Sequence, residues 1–196
     1  DAIAGGHYAV VLQMANAVGE LLNSDTAITS WSGRRRRLGV EESLRVDMLE
    51  HLLAVSTHTV PTTETAQMQA HALARISDKP PELLPSARVL IFSLIDEIAH
   101  LSTASMDPDA IRSADAMLRA VSAVLESSIL DAEFDGLPAG TPSQSIWRAV
   151  LAALDLVFTG MVQSTVCGER PVTISSPAVT SVIARACNAF GGTLAS

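Results

Sequence analysis

Apolar residues recur at three- and four-residue intervals through most of this chain, the spacing that gathers them on one face of an α-helix. Tyr8, Val11, Leu12, Ala15, Val18 and Leu22 predict a first helix that stops near Asn23, Ser24 and Asp25. Leu44, Met48, Leu49, Leu52 and Leu53 predict a second. It is expected to end before Pro61, because proline drives the residue ahead of it out of helical geometry. Thr62 or Thr63 can cap a third helix that runs to about Ile76 on Ala66, Gln69, Ala70, Leu73 and Ile76, closed by Lys79, Pro80 and Pro81. From Ser86, the positions Ala87, Leu90, Ile91, Leu94, Ile95, Ile98 and Leu101 form an apolar face broad enough for packing on two sides, so the fourth helix is expected to be central. Asp107 before Pro108 reads as the N-cap and first residue of a fifth, with Ile111, Ala114, Leu118, Val121 and Leu125 as its stripe. Gly136, Pro138 and Gly140 then break the chain, and Thr141 to Gln144 supplies a capping box for a sixth helix. Trp147, Val150, Leu151, Leu154, Val157, Phe158 and Met161 line that helix.

Beyond Gly160 the helical period lapses. Val172 to Ile174 and Val179 to Ile183 read as two short strands around Ser175, Ser176 and Pro177. Two strands cannot bury a face alone and need a larger sheet or a helix to lie on. The expected fold is therefore mainly α: an antiparallel bundle of about six helices over residues 1–163, followed over 164–196 by the start of a truncated β subdomain. Short connections favour antiparallel neighbours, although helices of similar length also permit stacking as repeats.

Four consecutive arginines, Arg34, Arg35, Arg36 and Arg37, fall where no apolar stripe is present, and an exposed loop is expected there. Such a loop is a solvated segment, a site for proteolytic processing at paired basic residues, or a patch for an anionic partner. His7, His51, His58, His71 and His100 show none of the spacing of a zinc-protease helix, and no metal or cofactor is expected. Asp96, His100 and Ser102 superficially suggest a catalytic triad, but a nucleophile and a base two residues apart on one helix do not aim the hydroxyl at the imidazole. Asp107, Asp109 and Asp115 lack the alternating ligands of a calcium loop, and Gly191 with Gly192 lacks the context of a phosphate loop. Cys167 and Cys187 flank the two strands, so a disulfide between them would close a loop around the pair, stabilising by about 3 kcal/mol in the chain-entropy account. The alternative is two buried thiols.

Composition narrows the function classes. The net charge of −8 and a pI near 5.0 disfavour a nucleic-acid binder, whose phosphate contacts need a basic face. The most apolar segment, Ile146 to Val162, carries Arg148 and Asp155 and falls short of the ~20 residues of a membrane helix, so no transmembrane segment is expected. The chain starts at Asp1 without a basic and then apolar leader, as a mature product or an excerpt of a longer protein would.

Three stretches carry a family resemblance. Leu49 to Ile76, with its Val60-Pro61-Thr62-Thr63-Glu64 hinge, Pro80 to Leu83 followed by Ala87 to Leu101, and Gly168 to Pro177 together resemble the receptor-for-egg-jelly region of the polycystin family. That region merges with the helical subdomain of the GAIN domains of adhesion receptors. The resemblance covers most of the chain from Leu44 to Arg185. It implies an extracellular module near a membrane segment that acts in adhesion, ligand or force sensing, and ciliary surface organisation. GAIN domains often cleave themselves at a His-Leu-Ser/Thr site in a tight β turn. Here His100-Leu101-Ser102 falls within a predicted helix, and no autoproteolytic residue carries over.

The expectation is thus a non-enzymatic extracellular module of a larger cell-surface protein. Its partners would be proteins, including the rest of its parent. The alternative is an intracellular helical scaffold, in which both cysteines stay reduced and the arginine run serves as a localisation signal.

Overall fold

In the computed structural model the described residues are 2–24, 31–58, 62–103, 110–134, 144–164, 167–168 and 170–184. They form six helices: α1 (Ala2–Asn23), α2 (Trp31–Ser56), α3 (Thr63–Ile76), α4 (Pro85–Thr103), α5 (Ala110–Phe134) and α6 (Gln144–Ser164). A single 3-10 turn, Pro80–Glu82, precedes α4, and two strands follow α6, β1 (Val172–Ser175) and β2 (Thr180–Ile183). The chain is mainly helical with a short antiparallel two-stranded sheet, as the periodicity predicts.

The helices sort into two layers. α1 packs on α3 and α3 on α5, while α2 packs on α4 and α4 on α6, and successive helices close one layer against the other. Each helix therefore meets neighbours both in its own layer and in the other. The third helix follows the sequence closely. Thr62 is its N-cap: its Oγ1 accepts from the Thr65 N–H at 3.1 Å, and Thr65 Oγ1 accepts from the Thr62 N–H at 3.0 Å, which satisfies two of the orphan donors at a helix start. Ala66, Gln69, Ala70, Leu73 and Ile76 are all buried, as expected.

Other elements depart from their sequence reading. α2 begins at Trp31, so Arg34, Arg35, Arg36 and Arg37 lie inside a helix rather than in a loop. An N-terminal half whose only apolar residues are Trp31, Leu38 and Val40 shows no continuous stripe, yet arginine, leucine and glutamate are all good helix formers. The buried stripe of α2 runs through Arg45, Leu49, Leu52 and Ser56, one residue on from the expected Leu44, which is 37% exposed. α5 is enclosed around most of its girth, from Ser113 through Ser128, rather than along one stripe. Its alanines and serines are small enough to let α3, α4 and α6 approach from three directions. On α6 the core takes Val150, Ala153, Val157 and Met161, whereas Trp147 and Leu151 face outward. The caps expected at Asp107 and Pro108 and at Thr141 to Ser143 lie outside the described residues.

Arg45 is the largest polar group in the core, with no exposed surface. Its Nε and Nη2 both donate to Glu82 Oε2, at 3.0 and 2.7 Å. Nη1 donates to the Ile76 carbonyl, and Nη2 also reaches Asn23 Oδ1 at 3.0 Å and the Leu22 carbonyl at 3.5 Å. The Asn23 amide in turn donates to the Arg75 carbonyl at 2.8 Å. The C-terminal ends of α1 and α3 thus share one guanidinium, which takes up carbonyls that have no partner within their own helices and complements the negative ends of both dipoles. A second buried arginine, Arg88 on α4, donates to the Leu83 carbonyl at 3.1 Å and pairs with Asp131 on α5.

The hairpin lies on this bundle. Val172 pairs with Ile183, Thr173 with Val182, Ile174 with Ser181 and Ser175 with Thr180. Alternation puts Ile174 and Ile183 on the inner face, where both join the helical core. The turn is closed by Ser176 N–H to Val179 O at 2.8 Å and by Val179 N–H to Ser176 O at 3.3 Å. The intervening Ala178 N–H donates to Ser122 Oγ on α5 at 2.8 Å. The helical layer is therefore the support that two strands need. Gly168, with φ at 83°, turns the chain from α6 toward β1 in the left-handed region that suits glycine.

Two predictions follow from this packing. A Cβ at Gly19 would sit 3.0 Å from Arg75 Cβ and 3.4 Å from its carbonyl carbon, whereas one at Gly39 meets nothing within 4 Å. Gly39→Ala is expected to stabilise by about 0.5–1 kcal/mol through the helix-propensity gain. Gly19→Ala is expected to lower the thermal midpoint despite the same gain, because α1 and α3 must separate. Differential scanning fluorimetry on the two variants reads the opposite signs. For the buried pair, Arg45→Met alone is expected to cost about 3–5 kcal/mol in urea unfolding by stranding Glu82 and the carbonyls that end α1 and α3, with Arg45→Met/Glu82→Leu recovering the part due to the carboxylate. A double variant as unstable as the single would refute the pairing account.

Candidate functional site

A trough runs along α3 and α5, bounded at one end by the C-terminal turn of α1 and at the other by the hairpin. Its two hollows, of 510 and 360 Å³, adjoin through Ala74, Asp78 and Arg119, which line both. Helical spacing builds it: His71, Ala74, Arg75 and Asp78 come from one side of α3 and the residues just after it, and Asp115, Arg119, Ser122 and Glu126 from successive turns of α5. Ser176 and Pro177 of the hairpin turn close the far end.

Two ion pairs line the trough, and the carboxylates of Asp78 and Glu126 accept from Asn23 and Ser122. Arg75 Nη1 meets Glu20 Oε1 of α1 at 2.6 Å, and Arg119 meets Asp115 on the preceding turn with Nη2–Oδ2 at 3.0 Å. Both pairs are open to water, so they contribute little to stability and can exchange their partners for those of a bound chain. The Ser122 hydroxyl that holds the hairpin also donates to Glu126 Oε1 at 3.3 Å. The arrangement offers alternating donors and acceptors along a groove, which suits contact with a polar polypeptide surface. Among the described residues no three His, Cys, Asp or Glu side chains converge as metal ligands would.

The residues singled out by sequence are dispersed. Arg34, Arg35, Arg36 and Arg37 sit on α2, and only their backbone is described. His51, His58, His71 and His100 are all exposed, with His71 on the rim of the trough. His100 Nε2 lies 3.5 Å from Asp96 Oδ1, one turn back on α4, and His100-Leu101-Ser102 is helical. Asp115 is paired with Arg119, while Asp107 and Asp109 lie outside the described residues. Cys167 is exposed and disulfide-bonded, at the junction between α6 and β1. Cys187 lies outside the described residues. No helix among the described residues is long and apolar enough to cross a membrane.

Sequence reasoning missed Arg45, Glu82, Arg88 and Ser122. The signal for Arg45 was present in the 45-49-52-56 spacing, which continues the apolar stripe through a charged position. Nothing comparable marks Ser122, whose role depends on the hairpin arriving from 56 residues away.

Comparison with protein-family models, with curated proteins and with solved structures gives no match.

Gln69 of α3 is 1% exposed, and neither end of its side-chain amide has a hydrogen-bond partner. It lines neither hollow of the trough. Its burial is a cost, and Gln69→Met, close in volume, is expected to raise stability by about 1–3 kcal/mol in urea unfolding. A loss of stability would show that the amide is satisfied in solution.

Proposed function

We propose that this chain is a non-enzymatic extracellular module of a larger cell-surface protein, acting in adhesion, assembly or the sensing of force or ligand. The observation that carries the reading is the disulfide at Cys167, placed where the helical layer passes into the hairpin. Disulfides form and persist in oxidising compartments, and thiols of a cytosolic helical scaffold are kept reduced. A covalent tie at that junction supplements the hairpin's docking through Ile174, Ile183 and the Ser122–Ala178 bond. The ion-paired trough gives the module a surface for a protein partner rather than for a small reactive substrate.

The resemblance to the receptor-for-egg-jelly and GAIN-like helical regions supports the same reading and adds a membrane-anchored, ciliary parent to it. On this reading the helical layer is a platform, and the strands lead toward the remainder of the parent protein. A second reading, an intracellular scaffold built from stacked helix pairs, is favoured by the layering of odd helices on odd and even on even.

Peptide mass mapping of protein from its native source, alkylated at lysis and digested without reductant, decides between them. The expected product is a cross-linked pair of peptides containing Cys167 and Cys187. Recovery of both cysteines as alkylated thiols would overturn the extracellular reading and leave the scaffold.

A further inference from the structure

α1 carries two apolar stripes. Leu12, Ala15 and Leu22 are buried, on a helix that packs on α3 and beside α2. Val10, Met14, Ala17 and Leu21 form the other stripe, about 140° around the helix by its turn per residue. All four are exposed, the three large ones at 52, 59 and 69%. Their four-three-four spacing is that of a helix–helix seam.

This seam is uncharged. Between Val10 and Leu21 the only ionisable residue is Glu20, which lies off the seam and pairs with Arg75. The exposed apolar residues of α6 are placed differently: Trp147, Leu151 and Val162 are interleaved with the exposed Arg148 and Asp155. In a chain of net charge −8, most approaches between two copies bring like charges together, and the α1 seam is an approach that does not. The seam also complements itself in size. Read antiparallel, its spacing is unchanged, so Val10 falls opposite Leu21 of a second copy and Met14 opposite Ala17, large against small on both sides of a two-fold axis.

We propose that α1 is a homodimerisation helix, and that a second copy of this chain lays its own α1 antiparallel across Val10, Met14, Ala17 and Leu21. The axis lies midway between Met14 and Ala17. The seam from Val10 to Leu21 is about 18 Å long, less than a standard interface of ~800 Å² per partner requires, so the pair is a weak one with a dissociation constant on the order of micromolar.

Sedimentation velocity on the full chain, from about 1 to about 200 µM, tests this across the range in which such a pair associates. The expected result is a monomer–dimer equilibrium that Met14→Glu weakens at least tenfold and that Leu151→Glu, on α6, leaves unchanged. Circular dichroism checks that both variants stay folded, as substitution of exposed side chains predicts. Orientation is read separately by cross-linking. Val10→Cys/Leu21→Cys is expected to give an oxidised covalent dimer, whereas Val10→Cys alone is not, since the two Val10 positions lie about 16 Å apart in the antiparallel pair and a disulfide spans no more than about 7 Å between Cα atoms. A monomer at every concentration overturns the proposal. So does a dimer indifferent to Met14→Glu, or one that Val10→Cys alone cross-links as fast as the double variant.

Discussion

Arg45 is the constraint on which the helical arrangement depends. A guanidinium withdrawn from water has to place its donors on acceptors, and here those come from α1, α3 and the turn ahead of α4. They converge only if α1 and α3 end at the same level beside the middle of α2. Two helix C-termini brought together would otherwise oppose their negative ends; the shared cation removes that conflict. Apolar stripes of leucine, isoleucine and alanine tolerate sliding by a fraction of a turn, because burial is proportional to area and has no direction. The hydrogen bonds of Arg45 do not tolerate it. With α1 and α3 set, α5 packs along α3, and the placement of Glu82 sets where α4 begins.

The hairpin depends on that frame in a different way. A two-stranded sheet is marginal by itself, and this one exposes Thr173, Ser175, Thr180 and Val182 on its outer face. Its inner face buries Ile174 and Ile183 in the common core, with Val172 half-buried against it. One backbone bond, from Ala178 to Ser122, orients the turn over α5, and the disulfide at Cys167 restrains the chain where it enters β1. Apolar burial and one directional bond hold the strands to the helices, and the covalent bond restrains the segment that leads into them.

How much of this was legible in the sequence follows from what periodicity can detect. α3 and the stripe of α4 were readable because their apolar positions are large, regularly spaced and bounded by Thr62 and the Lys79-Pro80-Pro81 stop. The strands were readable because β-branched residues cluster where the helical period fails. The first half of α2 was not, since Trp31, Leu38 and Val40 are too few and too irregularly spaced to set a period. The burial of α5 was not, because Ser122, Ser127 and Ser128 look like surface residues until their hydroxyls meet carbonyls, a carboxylate and the hairpin. Arg45 was passed over for the converse reason: the stripe was extended only through apolar residues, and its anchor is charged. The trough was not readable at all, since its walls come from α3 and α5 and its ends from α1 and the hairpin.

The layered arrangement also explains why its two edges differ. In a stack of helix pairs, the inner pairs are covered on both sides, and the terminal ones need a polar outer face or a cover. At the α5–α6 edge the hairpin supplies part of that cover, and Arg148 and Asp155 supply the polar character over α6. At the α1 edge neither device is used among the described residues. α1 has almost no charge, and its second stripe is spaced for another helix. Gly19 and Ala15 let α1 lie close to α3, so the helix is held firmly from behind while its outer stripe faces water. Holding an apolar seam rigid spares it the ordering cost that a flexible segment would meet on association.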